Sequence, residues 1–398
     1  MPKLATKELC TGCSACSNIC AKKAVVMHED AEGFFYPKVN SSVCVECGLC
    51  ENVCPVLHAV GKGETEPKTY AMWSYPDREH SSSGGAFSAF ARYVLKREGL
   101  VYGAVYDENL SLHHIAIENM DELDAVRGSK YIQSKIGQTF ADAQKALKEK
   151  RWVLFCGTPC QIAGLRAFLR KDYDTLLTID LICHGVPSEK IFHAYLRKLN
   201  NRLGYAENAL RIENYEFRHR EGWGIAPSFS IGGNSHRLYG IEALYMEAFN
   251  ASTIFRKCCY SCPYSNIPRV GDVTIGDFWG IGRYGVPFKQ DIMKGVSLVL
   301  VNTKYGEDVL AVLEDCYIEQ RTLKEAIIEN HNLRKPSPLH PKRSAIIAAF
   351  LDSSHTLVDI DREFKLVDYG FKATIKRLAD KTGLFSLFKR IYNWAKSY

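Results

Sequence analysis

The sequence predicts a small α+β module at the N-terminus followed by a larger α/β (α+β) domain. Three observations carry this. Residues 1–60 hold eight of the fifteen cysteines and no long periodic segment. The stretch GKGETEP, 61–67, is a Gly/Glu/Pro connector of the kind that separates folded units. From residue 68 onward, strand-like and helix-like segments alternate, the pattern of a layered α/β domain.

Taken in order, YAMWSY reads as a strand, SSSGG as a turn and AFSAFARYVLKRE as an amphipathic helix. LVYGAVY and HHIAIE follow as strands. A second block opens near residue 151: WVLFC is a buried strand, GTPC a turn and QIAGLRAFLR a helix. LLTIDLIC is the next strand and HGVPS its loop, with Ser188 as N-cap of the helix EKIFHAYLRKLN. Residues 225–255 have no clear period. VGDVTIGDFWG and VSLVLVNT read as strands and YGEDVLAVLEDC as a helix. The expected division is 1–60, 68–150, 151–330 and a tail at 331–398.

The chain of 398 residues is 46% hydrophobic and 24% charged, ordinary values for a packed globular protein. MPKLATKELC carries no apolar signal core, and no apolar run reaches the ~18 residues of a membrane span. A cytoplasmic location is therefore expected, where clustered cysteines serve metal or redox chemistry more often than disulfides. The net charge of +6 is confined to residues 372–398, which hold seven Lys or Arg against Asp380 and leave the rest balanced at 44 of each sign. A body without basic excess is not that of a nucleic-acid binder.

Cys10, Cys13, Cys16 and Cys20 follow one another at x2, x2 and x3, and Cys44, Cys47, Cys50 and Cys54 repeat the spacing, with Pro55 next. This is the run of bacterial two-cluster ferredoxins, in which three close cysteines wrap one 4Fe–4S cube and the fourth ligates the other. One cluster is assigned to Cys10, Cys13, Cys16 and Cys54, the other to Cys44, Cys47, Cys50 and Cys20. Ala21 stands where the first run would carry a proline, which shapes the turn and is not a ligand. A pair of structural zinc sites is the alternative. The module resembles a ferredoxin, an α+β electron conduit.

A third group is scattered. Cys259-x2-Cys262 supplies two thiolates from one turn, half of a four-thiolate site. Cys160 lies just past a strand and at a helix start, and Cys183 ends the following strand. Ligands in α/β layers gather outside the carboxyl ends of strands, so these thiols can converge. A helix N-terminus also favours the thiolate of Cys160. Burial as small hydrophobes is the plain alternative for Cys160 and Cys183. Cys258 has the wrong spacing to share the turn with Cys262, while Cys156 and Cys316 read as core.

The elements SSSGGAFSAF, GSKYIQS, FCGTPCQIAGL, DLICHGVPS, the Cys-x2-Cys pair and VGDVTIGDFWG, in this order from about residue 68 to 330, resemble the beta subunit family of coenzyme F420 hydrogenases and dehydrogenases. Chlorophyll-cycle 7-hydroxymethyl reductases and F420-dependent sulfite reductases are similar. The resemblance implies FAD and a 4Fe–4S cluster on Cys160, Cys183, Cys259 and Cys262, and a fused ferredoxin module is familiar in the group. It places FAD near SSSGG (81–85) and GSKYIQS (128–134), with Ser83, Gly84, Gly85, Gly128, Ser129, Lys130, Tyr131 and Ser134 as candidate contacts. Glycines and hydroxyls before a helix leave N–H groups for phosphate, although such turns also occur without a ligand.

GIGRYG, 280–285, fits a dinucleotide fingerprint in letters only: Pro287 follows where a helix should open, so it reads as a loop. EFRHREGWG and GDFWG concentrate Arg218, His219, Trp223 and Asp277, candidate catalytic residues for a planar or anionic substrate, or else a solvated hairpin. His184 can tune the neighbouring cluster ligand or simply cap its loop.

The reading is an iron–sulfur flavoprotein oxidoreductase passing electrons between a ferredoxin or another redox protein and an organic small-molecule substrate. No motif selects F420, and related fused proteins resemble bacterial reductases encoded with surface-polysaccharide genes. The alternative class is a non-catalytic electron-transfer adaptor. The tail segment TGLFSLFKRIYNWAKSY is an amphipathic basic helix suited to docking on the body or a partner, or to peripheral contact with an anionic membrane.

Overall fold

The structure is a computed structural model that describes residues 1–205, 211–218, 223, 226–370 and 378. Among these, the strands are β1 (Val25–Glu29), β2 (Phe35–Val39), β3 (Lys68–Ser74), β4 (Leu100–Tyr106), β5 (Leu112–Ile117), β6 (Val153–Gly157) and β7 (Leu176–Leu181). They continue with β8 (Glu213–Glu216), β9 (Ser228–Ile231), β10 (Asn234–Arg237), β11 (Val273–Asp277), β12 (Ser297–Val301) and β13 (Cys316–Arg321).

Eight strands form one mixed sheet in the order β13–β3–β12–β11–β7–β6–β4–β5. Its middle, β4–β6–β7–β11, is parallel. Antiparallel pairings extend it on both flanks. Strand β6 is buried at every position, as a strand covered on both faces must be. On one face pack the helix Ala86–Leu95 and the helix Lys304–Ala311, through Phe90, Val94 and Val309. On the other pack the helices Thr139–Lys148 and Pro159–Leu169, through Phe140, Ile162 and Leu165. The α/β class expected from sequence is the class observed.

A second core lies under the helix Glu189–Arg202, which Ser188 caps by accepting from the Ile191 N–H at 3.3 Å. The helices Leu244–Asn250, Arg343–Leu351 and Leu357–Phe364 pack around it, so residues up to Val367 belong to a core. One element differs from expectation. The helix read to end at Cys316 stops at Ala311, and Cys316 opens the edge strand β13. The reversal uses Asp315 at φ 54°, a conformation no helix continues through. The amphipathic segment 382–398 lies outside the described residues.

The N-terminal module is the β1–β2 hairpin with two short helices, Ala15–Ile19 and Leu49–Asn52, that bury Cys16 and Cys50 between them. It is docked on the larger body at several points. Arg343 reaches Glu32 with both terminal nitrogens, at 3.0 and 2.7 Å. Ser188 Oγ donates to the Glu32 carbonyl at 2.6 Å, and Asn18 Nδ2 to that of Gly137 at 2.9 Å. Gly164 sits so close to Cys13 that a Cβ there would meet the Cys13 Cβ at 2.8 Å and its Sγ at 3.0 Å.

Candidate redox site

Parallel strands deliver their carboxyl ends to one edge of a sheet. Strand β6 ends at Gly157, and Thr158 with Gln161 forms a capping box that starts the next helix: the Thr158 N–H donates to Gln161 Oε1 at 2.9 Å. Cys160 is thereby held in the first turn, its Sγ 3.2 Å from Thr158 Oγ1. Cys183 follows the end of β7, and Asp277 is the last residue of β11. These residues meet at one edge because their strands are neighbours in register.

The thiols fall into neighbourhoods. Burial pushes Cys160 well above its ordinary value, and the nearby thiols of Cys262, Cys183 and Cys258 push it further. Burial, then Cys262, raises Cys183 to about 12. Cys160 and Cys262 pack on the core that also holds Cys13, whereas Cys259 packs on the core under the long helix. Cys258 is 5% exposed, and a hydrogen bond with Cys259 is the main cause of its raised pKa. Cys258 is thus nearer to the other three thiols than its spacing suggested.

In the N-terminal module, burial raises Cys13 to about 12, with Cys10 and Cys54 as its thiol neighbours. Cys16 is raised by burial, then by Cys13, Cys10, Cys54 and Cys50. Cys50 is raised by burial and then neighbours Cys20 and Cys44, while Cys47 is exposed. Buried thiols this hard to ionise suit a donor set whose negative charge is met by iron. Among the described residues no group of three or more His, Cys, Asp or Glu closes on a single metal ion. Four thiolates at the corners of a cube stand farther apart than four on one ion.

Beside Cys183 opens a cavity of ≈ 1020 Å³. Ser83, Gly85, Gly128, Ser129, Lys130, Tyr131 and Ser134 line it, as do Arg218, Trp223 and Asp277. Gly84 does not. It lies against the Met72 carbonyl and the Ser297 N–H, where a Cβ would come within 2.3 and 2.6 Å, so packing requires its small size. His219 lies outside the described residues. Cys156, expected to be plain core, is buried and also borders the cavity.

The lining has three parts. Gly85, at φ 84°, caps the helix Ala86–Leu95, and the hydroxyls of Ser83 and Ser88 are buried there without a partner among the described residues. Orphaned hydroxyls at a helix N-terminus fit a polar, anionic ligand group. Ser129 Oγ meets Ser82 Oγ at 3.0 Å, while the Lys130 ammonium folds back to the Arg127 carbonyl at 2.9 Å.

On the opposite wall, Asp277 pairs with the buried Arg218 and accepts from Trp223 Nε1 at 2.8 Å. Trp223 stacks on Trp279 with centroids 4.9 Å apart, and the Arg218 guanidinium lies 5.5 Å from the Trp279 ring. The neighbouring Asp277 carboxylate outweighs the burial of Arg218 and holds it charged.

The third part was not foreseen. His114 Nε2 meets the Cys156 carbonyl at 3.0 Å, its Nδ1 meets Ser134 Oγ at 2.9 Å, and Gln161 Nε2 donates to the same Oγ at 3.0 Å. Burial holds His114 down to about 4, so the ring is neutral. The T-x-x-Q pattern at Thr158 was the available signal for Gln161; nothing marked His114. His184, stacked on His331 at 5.5 Å, is likewise pushed down to about 4 by burial.

The N-terminal thiols are those of an iron–sulfur module: residues 9–57 match the family model described as "4Fe-4S dicluster domain". Residues 150–326 match the model for the C-terminal part of the beta subunit in the family "Coenzyme F420 hydrogenase/dehydrogenase". The family resemblance drawn from the motifs holds over these residues. Among solved structures, the chain is similar to one in the F420-reducing [NiFe] hydrogenase complex from Methanosarcina barkeri, with 17% identity, 79% of this chain and 95% of that one covered, and a TM-score of 0.45. No curated protein matches the sequence. Among the described residues no helix is long and apolar enough to cross a membrane.

Proposed function

We propose that the protein is a flavin-dependent iron–sulfur oxidoreductase that exchanges electrons between an organic substrate and a ferredoxin or similar redox protein. One observation carries this reading: Cys183 both belongs to the third thiol group and lines the ≈ 1020 Å³ cavity. FAD, when bound, supplies the conversion between two-electron and one-electron chemistry. The orphaned hydroxyls of Ser83 and Ser88, with the helix behind Gly85, would bind its phosphates. Gly128 leaves open space for a close approach, since no atom lies within 4 Å of a Cβ built there. Gln161 and His114 orient the Ser134 hydroxyl from behind.

The stacked Trp223 and Trp279 form a flat wall, and Asp277 holds Arg218 beside it. That wall suits a planar or anionic organic substrate. Cys160, Cys183, Cys259 and Cys262 would hold the third cluster and the eight N-terminal cysteines the other two, which would supply one-electron transfer toward a partner near the exposed Cys47. Anaerobic purification with iron, sulfide and flavin counts tests the reading. About twelve irons and one flavin per chain are expected. About eight irons remove the third cluster, and protein that binds no flavin leaves an electron-transfer adaptor.

A further inference from the structure

Two buried arginines stand beside the thiol groups, and their surroundings differ. Arg269, near Cys183 and Cys262, is neutralised: its Nη2 donates to Asp180 Oδ1 at 2.9 Å and its Nε to the same atom at 3.2 Å. Arg256 is 0% exposed, yet no carboxylate pairs with it among the described residues. Its Nε donates to the Cys10 carbonyl at 2.8 Å, its Nη1 to Gln133 Oε1 at 3.1 Å, and its Nη2 to the Phe35 carbonyl at 3.0 Å. The guanidinium lies 4.1 Å from the Tyr36 ring. All of these partners are neutral.

A buried cation without a counter-ion is strongly disfavoured. The ionisable neighbours that hold Arg256 charged against its burial are Cys258, Cys10, Tyr36 and Cys259. The loop is shaped to admit it: a Cβ on Gly12, at φ 69°, would meet the Arg256 Nη1 at 3.0 Å. A cube with four thiolates is a net anion and supplies the missing partner.

We propose that Arg256 is the fixed counter-charge of the cluster on Cys10, Cys13, Cys16 and Cys54, and raises its reduction potential. The inference rests on the cluster reading of these cysteines. A positive charge fixed in a poorly screened interior stabilises the form carrying one more electron. Arg256 acts on the cluster through space and through the Cys10 carbonyl, and is a positioning residue rather than a catalytic one.

An EPR-monitored redox titration of the full chain, purified anaerobically, tests this with Arg256→Gln, Arg256→Lys and Gln133→Glu. Gln133→Glu keeps the guanidinium and its hydrogen bond while setting a carboxylate against it, and loses the Gln133 Nε2 donation to the Thr11 carbonyl, which Gln133→Met removes without adding charge as the control. In Gln133→Glu and Arg256→Gln, the couple that Cys13→Ser also alters is expected to move to more negative potential, and Arg256→Lys moves it least. An unmoved couple in Gln133→Glu at full iron content overturns the proposal, as does an equal shift of every couple. Wild-type protein without N-terminal clusters sinks the proposal together with the reading it rests on.

Discussion

Single side chains around the cavity are set against their own stability. Ser88 is 1% exposed and its hydroxyl has no partner, a desolvated group that contributes nothing to the empty fold. Ser88→Ala is therefore expected to leave the flavin-free protein unharmed or more stable by ~1 kcal/mol, while flavin content on purification falls. Loss of stability with unchanged flavin would assign Ser88 to packing alone. His114 carries the second prediction. Folding holds its pKa down to about 4 from 6.5, so between these values the unfolded chain binds the proton more readily. Stability from this group is complete above pH 6.5 and declines as pH falls toward 4, by ~3 kcal/mol across the window. Thermal unfolding followed from pH 7 to 4 measures the slope, and His114→Gln should flatten it. Neither side chain advertises this in sequence: a serine in an apolar helix and a histidine in HHIAIE look like any others, because burial is set by chain crossings far away.

At the scale of elements, most strands and helices from 68 to 205 were legible, the helix Thr139–Lys148 excepted, because fully covered strands are written as unbroken apolar runs, as in WVLFC and LLTIDLIC. The weak patch at 225–255 became the short strands β9 and β10 and the helix Leu244–Asn250, whose buried residues join the core under the helix Glu189–Arg202. Cys160, Cys183 and Cys262 could be grouped because strand ends converge, but the choice between Cys258 and Cys259 depends on how one short turn is rotated. Cys259→Ser is expected to remove about four irons per chain and Cys258→Ser none; the reverse pattern would give the ligand role to Cys258. Gly164 is the other element-level test. Alanine usually stabilises a helix interior by ~1 kcal/mol over glycine. Here its methyl would press on the Cys13 side chain, so Gly164→Ala is expected to lower the melting temperature and the retained iron. A gain in stability would mean the two surfaces are less tightly fitted.

For the whole molecule, the sequence divided cleanly at 61–67, yet the structure closes that division with contacts no local pattern announces. Arg343 joins Glu32 across 311 residues, and Arg256 joins Cys10 across 246. Such pairings are invisible to spacing rules because both partners look like ordinary surface charges or turn residues until the chain has folded. A carrier module sewn down in this way has no swing to make between loading and unloading. The internal hop therefore takes place across a fixed gap, and its rate should not depend on solvent friction. Flash or stopped-flow reduction in rising glycerol should slow only the encounter with the outside partner, leaving redistribution among the centres untouched.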